Sequence, residues 1–348
     1  MRRLTLSLAA ALVVAAAVAP SVPELFQKAK EQVKAGSWKE ALATMEAVDL
    51  EAGRPANQKF QPQLEAPLAF YRGVCDANLD RADDAGADFE TFLLLQPGAS
   101  IDEGAYSAKA VAAFEQARRA MSDPKPSLSR SYRQSPPAPP AAMNAPVTAD
   151  WGKGPVSWLM DDGEKAAWAK LEGDSERAAF VEAFWRKREG GDGHVFRAIF
   201  ERRVAFADAE LGQGGRPGDR GSMTDRGMVF ILLGPPAYSK EVDFRKSASI
   251  SDVSTGSSSM GPGSVSTAPG SRASGSSRST APGAGVSGLT QSGESRSELW
   301  HYRKGLLANG TSYPEVTVQF WLRGGQPEEL VRKNEQVNAI LNAAKKPA

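Results

Sequence analysis

Hydrophobic and polar positions follow several rhythms along this chain, and each predicts a different element. From Glu24 to about Ala120 apolar residues recur at helical spacing with few breakers inside each run, which predicts a set of helices. Between Ser122 and Thr148 stand Pro124, Pro126, Pro136, Pro137, Pro139, Pro140 and Pro146, which predicts an extended linker without regular hydrogen-bonded structure. Helical spacing returns from about Val156 to Leu211. Asp161 and Asp162 are cap candidates for a helix through Trp168 and Leu171. Asp174 opens a second helix, with Phe180, Phe184 and Trp185 on one face and Arg186, Lys187 and Arg188 at the end where cations complement the dipole. A third, Val195 to Leu211, turns Phe196, Ile199, Phe200 and Val204 inward.

The rhythm then changes. Met228 to Leu233 is a near-continuous apolar run, predicted as a strand buried on both faces and ended by Gly234-Pro235-Pro236. After Arg245 the composition collapses to Ser, Gly, Thr, Ala and Pro until about Ser297. Ordering each such residue costs about 1 to 2 kcal/mol with no burial to offset it, so residues 247–297 are expected to be a disordered insert. Strand alternation resumes at Glu298 to Arg303, Asn309-Gly310 signals a turn, and Val316 to Leu322 is the returning strand. Asn309-Gly310-Thr311 matches a glycosylation sequon only formally, since the hairpin turn explains it. An amphipathic helix, Glu328 to Ala344, closes the pattern. The fold expected is α+β: an all-α module of helical hairpins at 20–121, a linker at 122–149, a small domain at 150–322 whose helices cover a short sheet, and a C-terminal helix and tail at 323–348.

The N-terminus changes the picture of where this fold works. Arg2 and Arg3 precede an unbroken apolar run from Leu4 to Ala19 that ends in the small residues Ala17-Val18-Ala19, as in a cleavable export signal over 1–19. The run is shorter than the roughly 20 residues a spanning helix needs, so cleavage is expected rather than a stable transmembrane anchor. The destination is expected to be periplasmic or extracellular. The single Cys75 excludes an internal disulfide framework and a thiolate metal site. A net charge of +1 gives no global reason to expect nucleic acid, and export argues against it.

Two segments of the helical module share a finer pattern. Gly36-Ser37-Trp38-Lys39-Glu40-Ala41-Leu42 leads to Met45 and Val48; Asp80 to Ala85 leads to Phe89 and Phe92 and ends at Pro97, with Gly73 twelve residues before Ala85. Small residues at these positions let the two helices of a hairpin cross closely, and aromatics fill the groove between them. These residues resemble the tetratricopeptide repeat, with an insertion around Glu51 to Pro67 between the copies and a third unit of one helix at Tyr106 to Met121. The resemblance implies a concave helical surface that takes a protein partner.

The stretch Gly221-Ser222-Met223-Thr224-Asp225-Arg226-Gly227, followed by the apolar run and Gly234-Pro235-Pro236, is similar to the core of the GWxTD domain of bacterial exported proteins. The Phe184-Trp185-Arg186 helix, Arg202-Arg203-Val204 and the Glu298-Leu299-Trp300 strand extend the similarity over about Gly154 to Leu322. Where the family usually carries Trp this chain has Ser222, and the usual Arg-Asp-Pro after the Phe-Trp helix is Arg188-Glu189-Gly190-Gly191. The resemblance implies a domain and not a reaction.

Motifs of known chemistry are absent from the sequence: no His-Glu-x-x-His, no Cys-x-x-Cys, no phosphate loop and no Gly-x-Ser-x-Gly elbow. Neither cofactor nor metal is expected. The histidines are His194, read as a loop or cap residue, and His301, read as surface or stacking. For Thr224-Asp225-Arg226-Gly227 one reading is structural: Thr and Asp satisfy turn amides, Gly227 takes a positive φ, and Arg226 pairs with a carboxylate. The other is a polar site in which Asp225 and Arg226 join Arg186 or Arg203. The function expected is non-catalytic interaction or scaffolding in the cell envelope; the alternatives are a hydrolase using that polar site, and a binder of a small anion or glycan on the aromatics Trp300, Tyr302 and Trp321.

Overall fold

The computed structural model describes residues 20–135, 147–189, 195–212, 220–243, 296–322, 329–331 and 334–347. The expected export signal, the proline cluster from Pro136 to Pro146, His194 and the Ser/Gly-rich insert up to residue 295 lie outside the described residues, as does most of the glycine-rich stretch from Gly212 to Gly221; Arg296 and Ser297, expected at the end of the insert, belong instead to a strand.

Six helices build the N-terminal part: α1 (Val22–Lys34), α2 (Trp38–Ala52), α3 (Gln61–Asn78), α4 (Ala82–Leu95), α5 (Ala108–Ala120) and α6 (Leu128–Gln134). The first hairpin turns at Gly36 (φ 72°) and the second at Asp80 (φ 60°), so each hairpin closes its first helix with one left-handed residue. Gly73 is needed for contact: a Cβ there would lie 2.8 Å from the Phe89 ring, which is fully buried between α3 and α4. Ala41 and Ala85 are likewise fully buried at their crossings, and Trp38 packs against the same core. Phe70, Phe89, Phe92, Tyr106 and Phe114 form a cluster of edge-to-face and tilted rings that joins α3, α4 and α5. The segment between the copies is largely helical, with a 3-10 turn at Pro55–Phe60 before α3, and α4 ends at Leu95, just ahead of Pro97.

The linker expectation is overturned in part. Its prolines flank a proline-free heptapeptide, and the Ser127 hydroxyl accepts from the Arg130 amide to cap α6. Arg130 is buried, donating to the carbonyls of Ala120 and Asp123 and pairing with Glu90 at 3.3 Å. Tyr132 meets Phe206 and Phe230 edge-on, each at 5.2 Å. Rather than separating the two parts, α6 ties them.

The C-terminal part places α7 (Asp162–Trp168), α8 (Asp174–Arg188), α9 (Val195–Glu210) and α10 (Asp225–Leu233) against a sheet. Of the cap candidates Asp161 and Asp162, Asp161 starts α7, in a reciprocal capping box with Glu164. The four-stranded antiparallel sheet runs β1-β2-β5-β6, with β1 at Tyr238–Asp243, β2 at Arg296–Tyr302, β5 at Val316–Leu322 and β6 at Glu329–Leu330. The pairing of β1 with β2 runs from Tyr238 opposite His301 to Asp243 opposite Arg296. A small hairpin, β3 (Gly305–Leu306) and β4 (Ser312–Tyr313), turns at Asn309-Gly310 with Gly310 at φ 79°. Asn309 is buried and donates to the carbonyls of Ala343 and Lys346, so it holds the end of α11 (Glu335–Ala344). That last helix starts later than expected because the Asn334 side chain caps it.

Met228 to Leu233 is a helix, not the strand its apolar run suggested. A short run buried on every side has no periodicity to separate helix from strand. The decisive signal lies upstream: Thr224 is extended, its hydroxyl accepts from the Gly227 amide at 2.9 Å, and α10 follows. The helix fills the centre of the second core, where Phe230 stacks on Phe206 at 4.9 Å and meets Trp300 of β2 edge-on.

Candidate functional site

The Thr-Asp-Arg-Gly segment is the N-terminus of α10, and each residue there serves backbone or packing. Thr224 caps the helix. One Asp225 carboxylate oxygen accepts from the Leu330 amide at 2.9 Å, fixing β6 to the helix. Arg226 pairs with Glu298 of β2 at 3.1 Å and lies 5.5 Å from the centre of the Trp300 ring, whose indole N–H donates to the same carboxylate at 2.7 Å. Gly227 does not take a positive φ, which corrects the turn reading. It is glycine because α10 presses on the preceding 3-10 turn: a Cβ would stand 1.9 Å from the Gly221 carbonyl oxygen. Gly221 presses equally on the Ala207 carbonyl of α9.

Arg203 and Arg186 do not join this turn. Arg203 donates to the Ile231 and Leu232 carbonyls at the C-terminal end of α10, about 10 Å from Asp225 at 1.5 Å per residue. Burial lowers its pKa. Gly234 (φ 90°) lets the guanidinium approach, because a Cβ would lie 2.7 Å from Arg203 Nη2. The carbonyl of Gly234 accepts from the Tyr302 hydroxyl, Pro236 is buried and Pro235 half-buried. Arg186 is exposed on α8 and pairs with Glu182 one turn earlier. The polar site expected from Asp225, Arg226, Arg186 and Arg203 is therefore not assembled.

Ser222, standing where the resembled family has Trp, is fully buried. An indole still reaches it, since Trp158 Nε1 donates to the Ser222 carbonyl at 2.9 Å while the Ser222 amide donates to Asp208. Neighbouring Arg188 is buried too, bonded to Glu164 at 2.7 Å and to the Leu159 carbonyl at 2.9 Å, with its guanidinium 3.7 Å from the Phe184 ring centre. Burial works against the Glu164 charge, yet the Arg188 bonds outweigh it and hold that carboxyl below its ordinary range. Trp300 and Tyr302 are buried in the core and Trp321 is half-buried, so the hairpin aromatics form no open platform.

Sequence reasoning missed a charge cluster between the two parts. Arg303, following β2, inserts one Nη between α3 and α4: 2.6 Å from Asp76, 2.8 Å from Asp88 and 3.2 Å from Asp84. Arg81 pairs with Asp84 at 3.1 Å and with Glu315 at 3.1 Å, and Arg72 joins Asp88 to Asp49. His301 is buried, not on the surface; it stacks on Tyr238 at 4.8 Å and brings Nε2 to 3.4 Å from Asp84. Burial pushes the Asp76 carboxyl up to about 7, with Arg303 opposing and Asp88 and Asp84 adding to the rise. Burial also lowers His301, partly offset by Asp84 and Glu315. Burial similarly drives the Cys75 thiol up to about 12. The signal was present as helical spacing, since Asp84 and Asp88 lie four apart on one face of α4 with Asp76 on the facing helix, but their partner is more than 200 residues away.

Beside this cluster lies a cleft of about 860 Å³ between α4, α5 and α6 on one side and β1 with the N-terminus of α10 on the other. Arg226 and Glu298 reach it, as do Tyr238, Lys240 and Glu241 of β1. Comparison of the chain with family models, curated proteins and solved structures gave no match.

Proposed function

We propose that this chain is a non-catalytic protein-binding scaffold of the bacterial cell envelope, exported by its N-terminal segment, with tetratricopeptide-like hairpins and a C-terminal part of the GWxTD kind. The observation that carries the reading is the cleft between the two parts, held open by bodies locked together through Arg303 and the three aspartates. Its volume and its walls from both parts suit a segment of another protein. The residues that a hydrolase would draw on are committed elsewhere: Glu298 is held by Arg226 and Trp300, and Asp225 binds a backbone amide.

The scaffold reading is tested by placing a photo-cross-linking residue at Gln116, exposed on the cleft wall, or at Lys165, exposed on α7 outside the cleft, in the native host. Capture of a defined protein from Gln116 alone supports it. Capture of nothing, or of the same set from both positions, overturns it.

A further inference from the structure

The sheet ends at β1, whose second edge carries no strand among the described residues. An unpaired edge presents N–H and C=O groups that template another strand. Here the edge borders the cleft: residues 238–241 line it, and β1 covers about 20 Å at strand rise. Pairing requires room about 4.8 Å away, and the facing wall carries small residues, Gly86, Ala87, Ala113 and Ala117, between its larger ones. A Cβ built on Gly86 meets nothing within 4 Å.

Charge selects the occupant. Three ion pairs are internal to the lining: Arg130 with Glu90, Arg226 with Glu298, and Lys240 with Asp83. Beyond them the lining carries Asp123, Glu210 and Glu241 against Lys125, an acidic surplus in a chain whose net charge is +1. Arg296, 3.9 Å from Glu241, offsets part of it. Register sharpens the point: Glu241 stands directly opposite Glu298, a like-charged cross-strand pair in which Arg226 serves Glu298. A cation on a strand added outside β1 would sit beside Glu241 and relieve that pair.

We propose that the free edge of β1 takes up an extended, lysine- or arginine-bearing segment of a partner protein as an additional strand, with a cation opposite Glu241. This rests on the scaffold reading and names the kind of partner it holds. The probe is a blocked eight-residue peptide of alternating Lys and Val, followed by fluorescence anisotropy on the full chain. Three comparisons accompany it: the same peptide N-methylated at alternate amides, a Glu-Val version, and the protein variants Gly86→Leu and Glu241→Lys. Gly86→Leu fills open space on a helix, and an unchanged melting curve shows that it keeps the fold.

The Lys-Val peptide is expected to bind, with affinity reduced at least about tenfold by N-methylation, by Gly86→Leu and by Glu241→Lys, while the Glu-Val peptide gains on Glu241→Lys. No binding of the Lys-Val peptide, equal binding of the N-methylated form, or indifference to Gly86→Leu overturns strand addition. If a partner is still captured from Gln116 under those outcomes, the scaffold reading survives and only this inference falls.

Discussion

Replacing Asp76 by Asn tests whether the buried charge cluster carries a carboxyl that titrates near neutrality. Burial raises Asp76 from 3.8 to about 7, so the folded protein holds a proton there that the unfolded chain has already released. The stability tied to this group is complete below about pH 4 and is lost as pH rises through 7. At 1.36 kcal/mol per pKa unit the whole window is worth at most about 4 kcal/mol. Roughly 2 to 3 kcal/mol of it falls between pH 5 and 8.5. Asn keeps an oxygen for Arg303 and cannot ionise, so the Asp76→Asn protein should gain on the parent by that amount as pH is raised. His301 titrates in the opposite sense, since its lowered pKa gives a contribution lost on acidification, but it is common to both proteins and cancels in the difference. The assay is urea unfolding of both proteins at pH 5, 6, 7 and 8.5, comparing midpoints at matched slopes. A stability difference that stays within about 0.5 kcal/mol across this range, or that moves the other way, would refute the reasoning.

Other parts of the structure give equally direct expectations. Arg303→Met leaves three buried aspartates without their shared cation and should cost about 3 to 5 kcal/mol in urea unfolding. Gly227→Ala drives a methyl group into the Gly221 carbonyl, where backbone cannot yield, and should cost at least about 3 kcal/mol or prevent folding, as read by melting temperature and soluble yield. Trp158→Phe removes the bond to the Ser222 carbonyl and should cost about 1 kcal/mol in thermal unfolding. Ser222→Ala should change stability by less than about 0.5 kcal/mol, because the buried hydroxyl has no hydrogen-bond partner among the described residues.

Much of the α+β plan was legible from spacing alone. Gly36, Gly73, Ala41, Ala85 and Phe89 announced helices that cross closely, and the structure puts each at a turn or a crossing. Asp161 and Asp162 stood out as cap candidates, and Asp161 caps its helix, in a capping box with Glu164 that the structure adds. Two short segments were misread for opposite reasons. Met228 to Leu233 lacks a polar face because the core surrounds it, so the cap at Thr224 was the better guide. Leu128 to Gln134 was overshadowed by its flanking prolines, although proline before and after a short run is compatible with a helix between. The candidate polar site failed on distance, since α10 separates Asp225 from Arg203 along its length. The aspartates of the charge cluster were spaced on facing helices, but their pairing with Arg303 was illegible because long-range pairs such as Asp76–Arg303 leave no local pattern.

The pairing of Asp243 with Arg296 at the far end of β1 and β2 has a consequence for engineering. The chain leaves the sheet and returns to it at facing positions, so a connection without contacts of its own would enter the folding free energy chiefly through closure. Each doubling of that connection costs only about 0.6 kcal/mol. This end of the sheet is thus a graft point: strands that end on facing residues accept a two-residue turn, or a reporter domain whose own termini lie close together.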